Sequence, residues 1–205
     1  MRIFGIDPGS IRTGYGCVET DGRAMRLVTC GAISAKLDDE FPQRLARIHR
    51  ELSVLLAECQ PDSVAVESLF HATNVQSALK LGHARGVAIL AAVEAGCPVV
   101  EYAPAEIKRA VVGYGRAEKH QVQAMIKILL GLAQPPSPHD AADALAVAIC
   151  HVHSMPPLGT RDSGLGPRGL GLEARIPGFE SPVPSPRSPG PQLKSWRQYR
   201  PPAIG

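Results

Sequence analysis

Four carboxylates stand where folding alone does not ask for them: Asp7, Glu67, Asp140 and Asp143. Asp7 closes a run of β-formers, Arg2 to Asp7, and Pro8-Gly9 follows at once. Its side chain therefore projects where the backbone turns away from a sheet. Glu67 ends the short apolar run Ser63-Val-Ala-Val-Glu67. Asp140 and Asp143 are three residues apart in a helical stretch, which puts them on one face. Asp143 sits within Ala-Ala-Asp-Ala-Leu-Ala-Val-Ala, a stretch that should be buried. Clustered carboxylates repel one another and resist desolvation, so on their own they raise one another's pKa values. Divalent cations reverse that cost. Hard oxygen ligands suit Mg²⁺ or Mn²⁺, and two such ions can stabilise the attacking and leaving oxygens of a phosphodiester. Metal-dependent phosphoryl transfer is the chemistry such a set can do.

Each acid also has a plainer reading. Asp7 suits an Asx turn with Pro8-Gly9, and Glu67 suits a solvated strand end. Asp140 follows Ser137 by three residues with Pro138 between, the pattern of a helix capping box. Asp143 has no evident cap or partner. The set is more specific than any member.

The elements that must position these groups follow from periodicity. Arg2–Asp7, Gly14–Thr20 and Met25–Ile33 read as strands, with Asp21-Gly22 as a hairpin turn, which gives a three-stranded antiparallel meander. Apolar residues at 45, 48, 52, 55 and 56 predict a helix over 42–60. Ser63–Glu67 and Pro98–Tyr102 read as further strands, separated by a helix over 74–95. Glu106–Val112, Glu118–Leu132 and Ser137–His153 read as helices, the first two divided by Gly113-Tyr114-Gly115. The fold class is therefore α/β, a mixed five-stranded sheet with three antiparallel strands plus two parallel ones, flanked by helices. If the first and fourth strands are parallel neighbours, Asp7 and Glu67 leave the sheet at the same edge.

Residues 1–154 read as one domain, and 155–205 as a disordered, mildly basic Pro/Gly-rich tail with eleven Pro and eight Gly. The tail holds seven Lys or Arg against three acids (+4), and residues 1–154 hold fifteen against sixteen (−1), so overall charge argues little for nucleic acid. Within 71–127, however, seven basic side chains face four acids, which is compatible with a phosphate-binding face. Five cysteines, at 17, 30, 59, 97 and 150, form no C-x-x-C pair and read as reduced, buried thiols. An acid by position 7 and no apolar run approaching ~18 residues argue against secretion or a membrane span and for the cytoplasm.

Gly5-Ile6-Asp7-Pro8-Gly9 with Thr13-Gly14-Tyr15-Gly16, Val66-Glu67-Ser68-Leu69-Phe70, and His139-Asp140-Ala141-Ala142-Asp143-Ala144-Leu145-Ala146 resemble the signature segments of RuvC Holliday junction resolvases. Ser77–Gly82 with Ala84–Ala88, and Ala117-Glu118-Lys119 before Gln121-Val122, are similar too. The resemblance runs in order from residue 1 to about 153 and covers none of the tail. It implies a ribonuclease H-like nuclease domain, a homodimer, and Mg²⁺-dependent symmetric nicking of four-way DNA junctions in recombination and repair, with RuvA and RuvB as branch-migration partners. Asp7, Glu67, Asp140 and Asp143 would then be the catalytic, metal-binding acids. Phe70 would match an aromatic that enters the open junction, and Lys108 and Lys119 would match basic residues near the DNA.

Physics bears on several of these roles. Phe70 on a loop can stack on a base, or it can fold onto the core. Lys119 can offset charge on a phosphate, or be a solvated residue at a helix start. Lys80 and Arg85 can contact phosphates, or be ordinary surface charge. Val75, Leu79, Leu81, Val87, Ile89, Leu90 and Val93 leave apolar surface on more than one side of their helix, which points to core packing on one side and a dimer contact on the other. His139 can ligate metal, orient water, or serve a structural role, which we favour. An actin-like ATPase is the competing class, because Asp-x-Gly after a first strand also begins a phosphate hairpin. Its required second hairpin has only Asp162-Ser-Gly164 to offer, inside the tail.

Overall fold

The computed structural model describes residues 1–34, 39–68 and 74–155. Arg2–Asp7 (β1), Arg12–Thr20 (β2) and Met25–Ser34 (β3) form the antiparallel meander. Its turn is held by Asp21 Oδ1, which accepts from the Arg23 and Ala24 amides at 2.8 Å each, while Gly22 takes φ 89°. Such a φ favours glycine. Strand β2 starts two residues before its β-formers do, because Arg12 and Thr13 pair with Ser34 and Ile33 across the hairpin.

Phe41–Cys59 (α1) leads to Ser63–Glu67 (β4), Val75–Glu94 (α2) to Val99–Tyr102 (β5), and Pro104–Val112 (α3), Lys119–Leu129 (α4) and His139–Ser154 (α5) follow. The sheet order is β3-β2-β1-β4-β5, with β1, β4 and β5 parallel. The expected three antiparallel plus two parallel strands are all present. Three of the five cysteines are buried and none is bridged.

Two helix starts differ from the periodicity by two residues. α3 begins at Pro104, two residues early, because Glu106 accepts from the Ala103 amide at 2.8 Å and Pro104 takes the first turn, where no amide is needed. α5 begins at His139 with Pro138 as its N-cap, and no side-chain cap forms. The expected Ser137 capping box is therefore absent. The helix starts one residue too late for Asp140 to stand at the third helical position.

The pleat sends alternate residues of each strand to opposite faces. Phe4, Ile6, Val64 and Val66 pack with Ile48, Leu52 and Leu56 of α1 and Ala84, Ala88 and Ala92 of α2. Ile3, Val18 and Ala65 pack instead with α3, α4 and α5. The latter face decides where the acids go. A Cβ on Gly5 would overlap the Ala144 carbonyl oxygen, and one on Gly14 would overlap that of Asp140. The backbone of α5 thus rests directly on β1 and β2, crosses the sheet obliquely, and reaches β5 where Tyr102 Oη meets His151 Nδ1 at 2.8 Å.

Candidate active site

Register brings the first two acids together. Ile6 pairs with Val66 on adjacent parallel strands, so Asp7 and Glu67 are the next residues along, at the same sheet edge. By alternation both follow Gly5 and Ala65 onto the face covered by α5. The seat of α5 on Gly5 and Gly14 brings Asp143 to the same place. Asp7, Glu67 and Asp143 line one cleft of about 280 Å³, with Lys108, Lys119, Pro104, Ile107, Val122 and Ala146.

The electrostatics of the cleft would favour a bound cation. Burial, chiefly, and then the charges of Glu67 and Asp143 push the Asp7 carboxyl from 3.8 up to about 8. Glu67, buried beside it, is also raised above the usual carboxylate range, chiefly by burial. Lys119 Nζ donates to Asp143 Oδ2 at 2.7 Å, and that bond raises the lysine's own pKa. The Lys108 charge acts on Glu67 in the opposite sense to burial.

Asp140 stands apart. It does not line the cleft; its Oδ2 accepts from Arg12 Nη1 at 3.4 Å at the rim, although its charge still reaches Asp7. His139 has a partner of its own, Gln123 Nε2, at 2.6 Å on α4. That contact fits the structural role. Arg85 is engaged by Glu101 of β5, and Lys80 lies on the exposed part of α2 with Nζ 6.0 Å from the Phe41 ring centroid. Phe70 lies outside the described residues, as do Asp162 and the rest of the tail from residue 156.

The donor set suits a hard divalent cation. The cleft offers carboxylates, with no thiol or imidazole among the described residues, and its buried acids carry a desolvation cost that a cation would relieve. Among the described residues, no three His, Cys, Asp or Glu side chains form a ready-made cage. Lys119 and Arg12 occupy the two helix acids instead.

Two features of the site escaped the sequence. The glycine seat for α5 was signalled only by Gly5 and Gly14 alternating with apolar residues. Arg12 precedes the expected strand and carried no signal at all.

The profile of the family "Crossover junction endodeoxyribonuclease RuvC" matches residues 3–151. The chain belongs to the RuvC family. RuvC of Koribacter versatilis is 54% identical over 155 residues, covering 75% of this chain and 93% of that one. RuvC of Chloroflexus aggregans is 50% identical over 158 residues, covering 77% and 96%. Among solved structures, Thermus thermophilus RuvC superposes with a TM-score of 0.70 at 36% identity, covering 75% of this chain and 94% of its own. The same protein in complex with a Holliday junction substrate gives 0.69 at 34% identity, with the same coverage. The yeast mitochondrial Holliday junction resolvase Ydc2, at 13% identity and a TM-score of 0.53 over 74% of this chain, shares the fold alone. The mixed sheet is thus the ribonuclease H-like fold that the signature segments implied, in a family of DNA-cutting hydrolases that depend on divalent metal. This membership also disposes of the actin-like ATPase reading.

Proposed function

We propose that this RuvC chain resolves four-way DNA junctions by metal-dependent phosphodiester hydrolysis, nicking two opposite strands symmetrically during recombination and repair. The observation that carries the reading is the cleft in which Asp7, Glu67 and Asp143, drawn from two strands and a distant helix, meet under two lysines. Asp7, Glu67 and Asp143 would bind Mg²⁺, with Mn²⁺ as a substitute and two ions per site, and Asp140 would join them from the rim. Bound there, the metal would polarise the scissile phosphate and lower the pKa of the attacking water.

The chain's own groups prepare that event. Burial works against ionising Asp7 and Glu67, which must both be charged to act as ligands, and the Lys119 ammonium must let go of Asp143. Both lysines then face an incoming phosphate, where they offset its charge. Lys80, Arg85 and Phe70 are proposed as outer DNA contacts, Phe70 by stacking. Arg85 would first have to leave Glu101.

A homodimer would present two such sites to one junction, as symmetric nicking requires. It is supported by α2, where Val75, Leu79, Leu90 and Val93 are 77%, 60%, 50% and 58% exposed along one seam, with open space beside Gly82 and Gly86 between them. Apolar residues at three- and four-residue spacing suit the same seam of a second copy. We place the dimer with its DNA in the cytoplasm, working with RuvA and RuvB; no helix among the described residues is long and apolar enough to cross a membrane.

A synthetic four-way junction and a linear duplex, each incubated with the full chain in Mg²⁺ and in chelator, test the reading. Paired nicks with 5′-phosphate and 3′-hydroxyl ends are expected on the junction in Mg²⁺ alone. Equal cutting of the duplex, or cutting in chelator, would refute it.

A further inference from the structure

Arg12 lies at the rim of the cleft with no role in the reaction proposed above, and among the described residues its one ion pair is with Asp140. The two backbones are fixed. Arg12 opens β2 opposite Ser34, and the turn before it is closed by Thr13 Oγ1 donating to the Gly9 carbonyl at 2.9 Å. Asp140 is carried by α5, which rests on Gly14. The side chains are free to exchange partners, being 52% and 30% exposed. Each helix acid is therefore held by a cation of the chain, Asp140 by Arg12 and Asp143 by Lys119.

A DNA strand brings a phosphate for which guanidinium is a bidentate partner. An exposed ion pair contributes little to stability, so exchanging it for a phosphate contact meets little resistance. We propose that Arg12 is a positioning residue. It holds Asp140 at the rim in the free protein and passes its guanidinium to a DNA phosphate when substrate arrives, which releases Asp140 toward the metal. The inference rests on the proposed junction-cutting reading. Its consequence is reciprocal coupling, in which DNA tightens metal binding and metal tightens DNA binding.

Calorimetric titration of Mn²⁺ into the DNA-free full chain tests the inference, with thermal melts confirming that each variant folds. Arg12→Gln should bind Mn²⁺ more tightly than the parent, on the order of fivefold, a coupling of ordinary size. Arg12→Lys, which keeps the charge, should stay near the parent. The gain should vanish when Arg12→Gln is combined with Asp140→Asn, because the two residues act through one contact. Junction binding by Arg12→Gln in chelator should weaken severalfold and show a shallower salt dependence. Superimposable Mn²⁺ isotherms for parent and Arg12→Gln would overturn the inference, as would a gain that survives in the Asp140→Asn background. Either result would leave metal-dependent junction cutting by the parent intact. Absence of that cutting would instead remove the functional reading beneath it.

Discussion

Strand β1 shows two different surfaces. Phe4 and Ile6 enter a core of large side chains shared with α1 and α2. Gly5 and Asp7, one residue away in each case, face α5, where small residues let helix backbone approach sheet backbone. The first face is built for burial, and a fully buried Phe there removes its whole side chain from water. The second gives up side-chain volume so that charged groups can be placed within reach of one another. Stability and chemistry are thus separated by the pleat of a single strand.

The largest expected effect breaks the two faces apart. Asp7→Asn should cut four-way junctions slower by on the order of 10³-fold or more while still binding them, since it would remove a proposed metal ligand and leave the phosphate contacts. The same variant should melt at a higher temperature than the parent in chelator, because it removes a buried acid that is costly to ionise. A variant that cuts normally would take Asp7 out of the site. Phe4→Ala, on the other face, should cost about 3–5 kcal/mol in denaturant unfolding. Its cutting rate per folded molecule should nevertheless stay near that of the parent, and a rate that fell with stability would show that the faces are not separable.

Gly5→Ala sharpens the contrast. Its Cβ meets the backbone of Ala144 and Ala148, which cannot rotate aside, so about 1–3 kcal/mol of stability should be lost. Unlike Phe4→Ala it should also slow cutting, because α5 must move and carries Asp143 with it; unchanged kinetics in folded Gly5→Ala would count against the seat.

The pH dependence follows from Asp7. Unfolded, it loses its proton near its ordinary value of 3.8; folded and metal-free, it keeps it to about 8. The folded state therefore binds more protons between those limits, and stability should fall as pH rises from about 4 to about 8 and level off above. Melting in chelator should accordingly be lower at pH 8 than at pH 6, with the difference reduced in Asp7→Asn. A rise over that interval would contradict the burial described. The smallest effect belongs to Lys80→Gln, which should weaken junction binding modestly and lower the salt slope by about one. No change in slope would remove Lys80 from the DNA contacts.

The order of strands and helices was legible in the sequence because apolar alternation and helical periodicity report which way a side chain points. Asp7 and Glu67 were legible as strand-end acids, since each follows an apolar run and precedes a break. Asp143 stood out as an acid among alanines that no local rule accounts for. Tertiary structure alone decided which acids share the cleft. Asp140 and Asp143 share a helix face in the sequence, yet Arg12 draws one to the rim and Lys119 holds the other at the cleft. Arg12 is 128 residues away from its partner, and no periodicity links positions so far apart. Local pattern fixes the direction of a side chain relative to its own element; the distance between two elements is set by what lies between them, and here that is the absence of a Cβ on Gly5 and Gly14.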